Sequence, residues 1–167
     1  MQKRFTLIAI LFSIYLKAQI SSDKSSISLG VGPYKSEKTD GLIAAQLSLQ
    51  FYHKRNILGL NLEYGGQIGQ NPNNYITSNL LYGRDIKIAN FLNIELISGI
   101  GYYSFSLNNY AYNKQIETIN FPVRINLIFD LYRNSIFKGI KSGLGFGFNL
   151  NSENITGNAL ILLQVNF

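Results

Sequence analysis

Apolar residues return at every second position in segment after segment of this chain, a period that an α-helix cannot use and a two-faced strand requires. Phe121, Val123, Ile125, Leu127 and Phe129 share one face, with Asn120, Arg124 and Asn126 on the other. Leu58, Leu60, Leu62 and Tyr64 alternate with Gly59, Asn61, Glu63 and Gly65. Leu92, Ile94, Leu96, Ser98, Ile100 and Tyr102 stand against Asn93, Glu95, Gly99 and Gly101.

Segments of this kind cover 25–34, 41–52, 57–67, 75–84, 91–105, 116–129, 135–149 and 157–167, which makes eight. Most reach the ~9–11 residues a tilted strand needs to cross a bilayer, and an even number closes an antiparallel barrel with both termini on one side. The expected fold is all-β, an eight-stranded antiparallel up-and-down transmembrane β-barrel. Closure requires 157–167 to pair with 25–34.

Which face is buried, and in what, decides between a membrane barrel and a soluble one. The second face is rich in Gly, Asn, Ser and Gln, with Gly143, Gly145 and Gly147 in phase. Small polar side chains suit the narrow interior of eight strands, whereas a water-exposed face carries more Lys and Glu. Only 14% of residues are charged, low for a soluble domain. The alternative, a soluble secreted barrel resembling lipocalins, reverses the assignment and turns the apolar residues inward.

With the N-terminus in the periplasm, 53–56, 85–90 and 130–134 are inner turns, and 35–40, 68–74, 106–115 and 150–156 are outer loops. Tyr34, Tyr64, Tyr75, Tyr102, Tyr103, Tyr110 and Tyr112 then fall near the outer level. Tyr52, Tyr82, Phe91, Phe129, Tyr132 and Phe167 fall near the inner one. Amphipathic rings at both levels are expected as interfacial girdles.

The N-terminus reads Met1-Gln-Lys-Arg, then a mostly apolar run from Phe5 to Leu16, then Lys-Ala-Gln. Two positive charges, an apolar run too short to span a bilayer and a small residue form the layout of a signal peptide. Cleavage after Ala18 leaves a single barrel domain over 19–167. The chain has no Cys, which removes disulfides, thiolate nucleophiles, Cys-ligated zinc and lipoprotein acylation. A single His leaves no all-histidine metal site. The formal charge of +6 includes Lys3, Arg4 and Lys17; without them 12 basic residues face 9 acidic ones, too even a balance for a nucleic-acid partner.

The last strand, Gly157-Asn-Ala-Leu-Ile-Leu-Leu-Gln-Val-Asn-Phe167, alternates throughout and ends on an aromatic residue. With the export signal at the other end, the sequence resembles the small eight-stranded outer-membrane barrels of the OmpA/OmpX type that stop at the barrel. The resemblance implies a monomer in the bacterial outer membrane whose partners are lipids and, during insertion, the barrel-assembly machinery. It implies that Ala159, Ile161, Leu163, Val165 and Phe167 form the insertion signal read by that machinery. The peptidoglycan-binding domain of OmpA-type proteins and the long loops of adhesin-like relatives are missing.

Four ionisable residues point inward by strand parity, Glu63, Glu95, Arg124 and Lys141. Unpaired charges in a narrow lumen are costly, so they are expected to form one self-neutralising network that plugs the barrel. A gate, in which re-pairing opens a narrow path, is the functional version of the same network. Enzymes among the small barrels need a His beside a Ser and an acid at the outer leaflet, and the sole His53 lies in an inner turn beside Lys54 and Arg55. Lys54, Arg55, Arg84, Lys87, Arg133 and Lys138 sit near the inner interface, where they either attract anionic headgroups or are solvated turn residues. The expected function is a non-enzymatic, cofactor-free barrel with a structural or envelope-integrity role; the alternative is a narrow pore or small-solute-binding barrel.

Overall fold

A computed structural model describes residues 24–37, 40–67, 73–109, 112–130 and 139–167. The signal segment and its cleavage bond lie outside these residues, as do Tyr110, Tyr132, Arg133 and Lys138. The described residues form eight antiparallel strands and no helix: β1 (Lys24–Ser36), β2 (Asp40–His53), β3 (Asn56–Gly66), β4 (Asn74–Ala89), β5 (Leu92–Asn109), β6 (Tyr112–Phe129), β7 (Ile140–Leu150) and β8 (Thr156–Asn166). Each strand pairs with the next, and β8 returns to β1, closing the barrel. The closing seam runs from Ser26↔Asn166 to Ser36↔Thr156, and Ser25 and Phe167 exchange two backbone hydrogen bonds of 2.9 Å.

The stagger of the barrel follows from the pairings. A walk across the strands from Lys24 passes Tyr52, Ile57, Gly83, Ile97, Arg124, Gly147 and Asn158 and re-enters β1 at Tyr34, ten residues from its start. That shear goes with strands tilted by roughly 35–45° and an interior wide enough for one layer of side chains.

Alternation assigns the two faces consistently. Leu29, Val31, Leu62, Ile100, Phe121, Phe148 and Ile161 point outward and are exposed, while Gln46, Ser48, Asn61, Asn79, Asn126 and Gln164 are buried inside. The apolar face is therefore the outer wall, opposite to the lipocalin-like alternative. Glycine makes room in the lumen: a Cβ on Gly147 would stand 2.8 Å from the Asn158 side chain, and one on Gly145 would stand 3.1 Å from Asn126 Oδ1.

Three expectations are corrected. The outer loop placed at 106–115 is largely strand, because β5 and β6 each run for 18 residues and pair out to Asn109↔Tyr112. Polar residues occupy both faces of this stretch, so the hydrophobic period fades while the ladder continues. β4 likewise runs through the inner turn placed at 85–90, ending at Ala89 after a register shift beyond Lys87. The aromatic girdles also divide. Tyr64, Tyr82 and Tyr102 face outward, but Tyr34, Tyr52, Tyr75 and Tyr103 are buried inside the barrel. Parity along the strand, not height, decides which way a side chain points.

Candidate functional site

The lumen is filled in three tiers. In the middle, β3 supplies Asn61 and Glu63 and β6 supplies Asn120 and Arg124. Arg124 Nη2 pairs with Glu63 Oε2, their side chains being 3% and 0% exposed. The same nitrogen donates to Asn61 Oδ1 at 2.8 Å, and Nη1 donates to Gln46 Oε1. The other oxygen of Glu63 accepts from Tyr75 Oη at 2.7 Å, Asn149 Nδ2 at 2.9 Å and Asn158 Nδ2 at 2.8 Å. A buried ion pair stands only when further hydrogen bonds support both partners, and here Arg124 has two and Glu63 three.

An amide chain extends this tier around the barrel. Asn120 donates to Asn79 at 3.0 Å and Asn149 at 2.9 Å, Asn79 donates to Asn61 at 3.1 Å, and Asn61 donates to Ser48 at 2.9 Å. Sequence reasoning missed these asparagines and Gln46, although all of them lie on the inward parity that singled out Glu63 and Arg124.

The inner tier centres on Glu95. It accepts from Tyr52 Oη at 2.6 Å, Asn126 Nδ2 at 2.9 Å and Gln50 Nε2 at 3.4 Å, all neutral donors. Gln164 joins it by donating to Tyr52 Oη at 2.7 Å and Ser26 Oγ at 2.9 Å. The Lys24 ammonium lies 4.1 Å from the centre of the Tyr52 ring. Lys141 pairs instead with Asp130 at 3.1 Å near the inner mouth, where both are partly exposed. The four charges expected in one network are thus divided: Arg124 meets Glu63, Glu95 is held by amides and a phenol, and Lys141 takes a carboxylate outside the set.

The outer tier is aromatic. Tyr34 meets Tyr75 edge-on at 5.0 Å between ring centroids, Tyr75 stacks on Tyr103 at 5.7 Å, and Tyr103 stacks on Phe105 at 6.4 Å. Asn154, in the segment joining β7 to β8, donates to Tyr103 Oη at 2.8 Å and ties that segment across the opening.

The two carboxylates are set for different costs on neutralisation. Glu95→Gln keeps an acceptor for Tyr52, and the amides of Asn126 and Gln50 can turn to present oxygen, so it changes stability by less than about 1 kcal/mol. Glu63→Gln strips Arg124 of its counter-ion and costs about 3 kcal/mol or more. Urea unfolding of the two variants in detergent micelles checks the order, and equal losses would contradict the division into tiers.

On the outer wall, Ala159, Ile161, Leu163, Val165 and Phe167 all face outward and are exposed, Phe167 to 70%. His53 is exposed at the end of β2, at the inner side. Near the outer end, Gln115 Nε2 donates to Ser104 Oγ and to Glu117 Oε1, both at 3.1 Å. An amide in that position cannot take a proton from the hydroxyl. Among the described residues no three His, Cys, Asp or Glu side chains gather as a metal site would require.

The sequence matches no family profile and no curated protein. Its fold has clear counterparts among solved structures. Neisserial surface protein A (NspA) superposes with a TM-score of 0.66 at 8% identity, over 86% of this chain and 96% of that one. Ail, the attachment invasion locus protein of Yersinia pestis, gives 0.63 at 9% identity, over 86% of this chain and 98% of that one. The outer membrane enzyme PagL gives 0.50 at 15% identity, over 84% of this chain and 98% of that one. What this chain shares with them is architecture: a closed eight-stranded antiparallel barrel with the fold of the small outer-membrane barrels.

Proposed function

We propose that the protein is a non-enzymatic integral barrel of the bacterial outer membrane, with a structural role in the envelope and insertion through its C-terminal strand. The observation that carries this reading is the pairing of an apolar outer wall with a lumen occupied by three tiers of buried side chains. Apolar side chains exposed on every strand suit lipid as solvent, and the sheet closes on itself, as a bilayer interior demands. The three filled tiers speak against a continuous wet path and hence against the pore reading. The location of His53, and the amide between Ser104 and Glu117, speak against an enzyme that works through a His, a Ser and an acid at the outer end.

Fractionation is the direct test. The protein is expected in the outer-membrane fraction, resistant to urea extraction, and recovery in the soluble periplasm would overturn the reading. Purified barrel in planar bilayers is expected to give no discrete conductance steps; steady steps would favour the pore.

The insertion part has its own prediction. Phe167→Ala keeps the backbone bonds to Ser25 but removes the terminal ring, and is expected to lower the amount of assembled barrel in cells several-fold. Refolding of the same variant from urea into detergent should match the parent. A matching loss in both settings would assign the ring to stability instead of delivery.

A further inference from the structure

The outer wall is not evenly filled. Between β4, β5 and β6 it carries a groove of about 540 Å³, lined by Tyr82, Leu96, Ser98, Val123 and Ile125 with Arg84 and Asn56 at its inner end. The pairings explain the gap. Tyr82, Ser98 and Val123 form one cross-strand row and Arg84, Leu96 and Ile125 the next, so the small Ser98 side chain leaves the hollow between larger neighbours.

The inner end of this groove is cationic and ordered by contacts. Arg84 is paired across strands with Asn56, whose Oδ1 accepts from Tyr82 Oη at 3.3 Å. The Arg55 carbonyl accepts from the Asp85 N–H at 2.8 Å, which pins the turn after β2 against β4. Lys54 in that turn has φ of 56°, a conformation that costs a non-glycine residue energy. Arg55, Arg84 and Lys87 are exposed, and no ion pair involves them among the described residues. Asp85, next to Arg84 in sequence, has the inward parity of β4, and its Oδ2 accepts from Asn93 at 3.1 Å. Ile88 and Phe91, each 57% exposed, flank the cluster as interfacial anchors.

We propose that this groove binds an anionic glycerophospholipid of the inner leaflet, one acyl chain lying over Ser98 and the phosphate held by Arg84 and Arg55. Arg presents a planar fork of N–H donors to phosphate oxygens, and Tyr82 and Asn56 stand where chain meets headgroup. The proposal rests on the outer-membrane reading with the turns facing the periplasm, and it adds a ligand class to it. A headgroup without net charge gains less from the cationic rim, so the site selects phosphatidylglycerol over phosphatidylethanolamine.

The test uses the full barrel reconstituted in nanodiscs of equal phosphatidylglycerol and phosphatidylethanolamine, released into mild detergent and weighed intact with its retained lipids. The parent is expected to hold about one phosphatidylglycerol. Arg84→Gln should lower the preference for the anionic lipid about fivefold, the effect of one cation near a lipid surface. Ser98→Phe fills the groove and should abolish retention of either lipid. Both changes lie on the outer wall, and heat-dependent gel mobility reports that each variant is folded. Equal retention of the two lipids by the parent, or parent-like retention in both variants, overturns the proposal. If the cellular protein is soluble without detergent, the membrane reading falls and takes this one with it; membrane recovery without selective retention defeats the lipid site alone.

Discussion

Arg124→Met is expected to destabilise the folded barrel by about 3–5 kcal/mol, because it strands the Glu63 carboxylate in the lumen without its cation. Glu63 is 1% exposed, so water cannot replace the guanidinium without reopening the packed tier. Gln46 loses the Arg124 donor in the same step, and Asn61 is left with the one from Asn79. With no Trp in the chain, unfolding is best followed by far-ultraviolet circular dichroism in urea and by the temperature at which the compact gel band is lost. Adding Glu63→Gln to Arg124→Met should recover part of the loss. The glutamine oxygen still accepts from Tyr75, Asn149 and Asn158, and the middle tier no longer holds an unpaired charge. Additive losses in this double-mutant cycle would mean that the pair is not coupled.

Gly65→Val is the second large effect. Gly65 is paired across strands with Tyr75 and faces the lumen, so the Tyr75 ring lies flat over the space a side chain would fill. A Cβ there would stand 2.6 Å from Tyr75 Cζ and 2.8 Å from Cδ1, closer than atoms pack. The ring must move, which takes the phenol off Glu63 and breaks the contact with Tyr34 and the stack on Tyr103. Overpacking of this kind costs about 1–3 kcal/mol, with the lost hydrogen bond to a carboxylate adding about 1.5–3 kcal/mol. Tyr75→Ala in the same chain should relieve the clash, so Gly65→Val should cost much less in that background than in the parent. An equal cost in both would place the strain elsewhere.

Parity made the fold legible: it separated Leu62 from Glu63 and Ile125 from Arg124, and the seam between β1 and β8 follows from an even strand count. It also held information that height obscured. Tyr103 shares its parity with Glu95, and Tyr75 with Asn79, yet an assignment by level put both rings among the lipids. The long β5–β6 hairpin was illegible for another reason, since polar residues on both faces erase the period without ending the pairing. The charge network was legible as to members but not as to partners. Which lumen charges meet is set by the ten-residue stagger, a property of all eight pairings together. Glu95 is paired across strands with Asn126, two residues inward of Arg124, while Glu63 comes level with it only around the ring.

The closing seam also sets the order in which such a chain can assemble. The other seven seams join consecutive strands, whereas Ser26 and Gln164 on the last one are 138 positions apart. Loop closure grows only slowly more expensive with length, but contacts this distant in sequence slow folding. Until they form, β1 and β8 each present a bare row of N–H and C=O groups, the kind of edge that pairs with whatever strand it meets. The interval before closure is therefore the stage at which this protein is most exposed to pairing with another copy of itself.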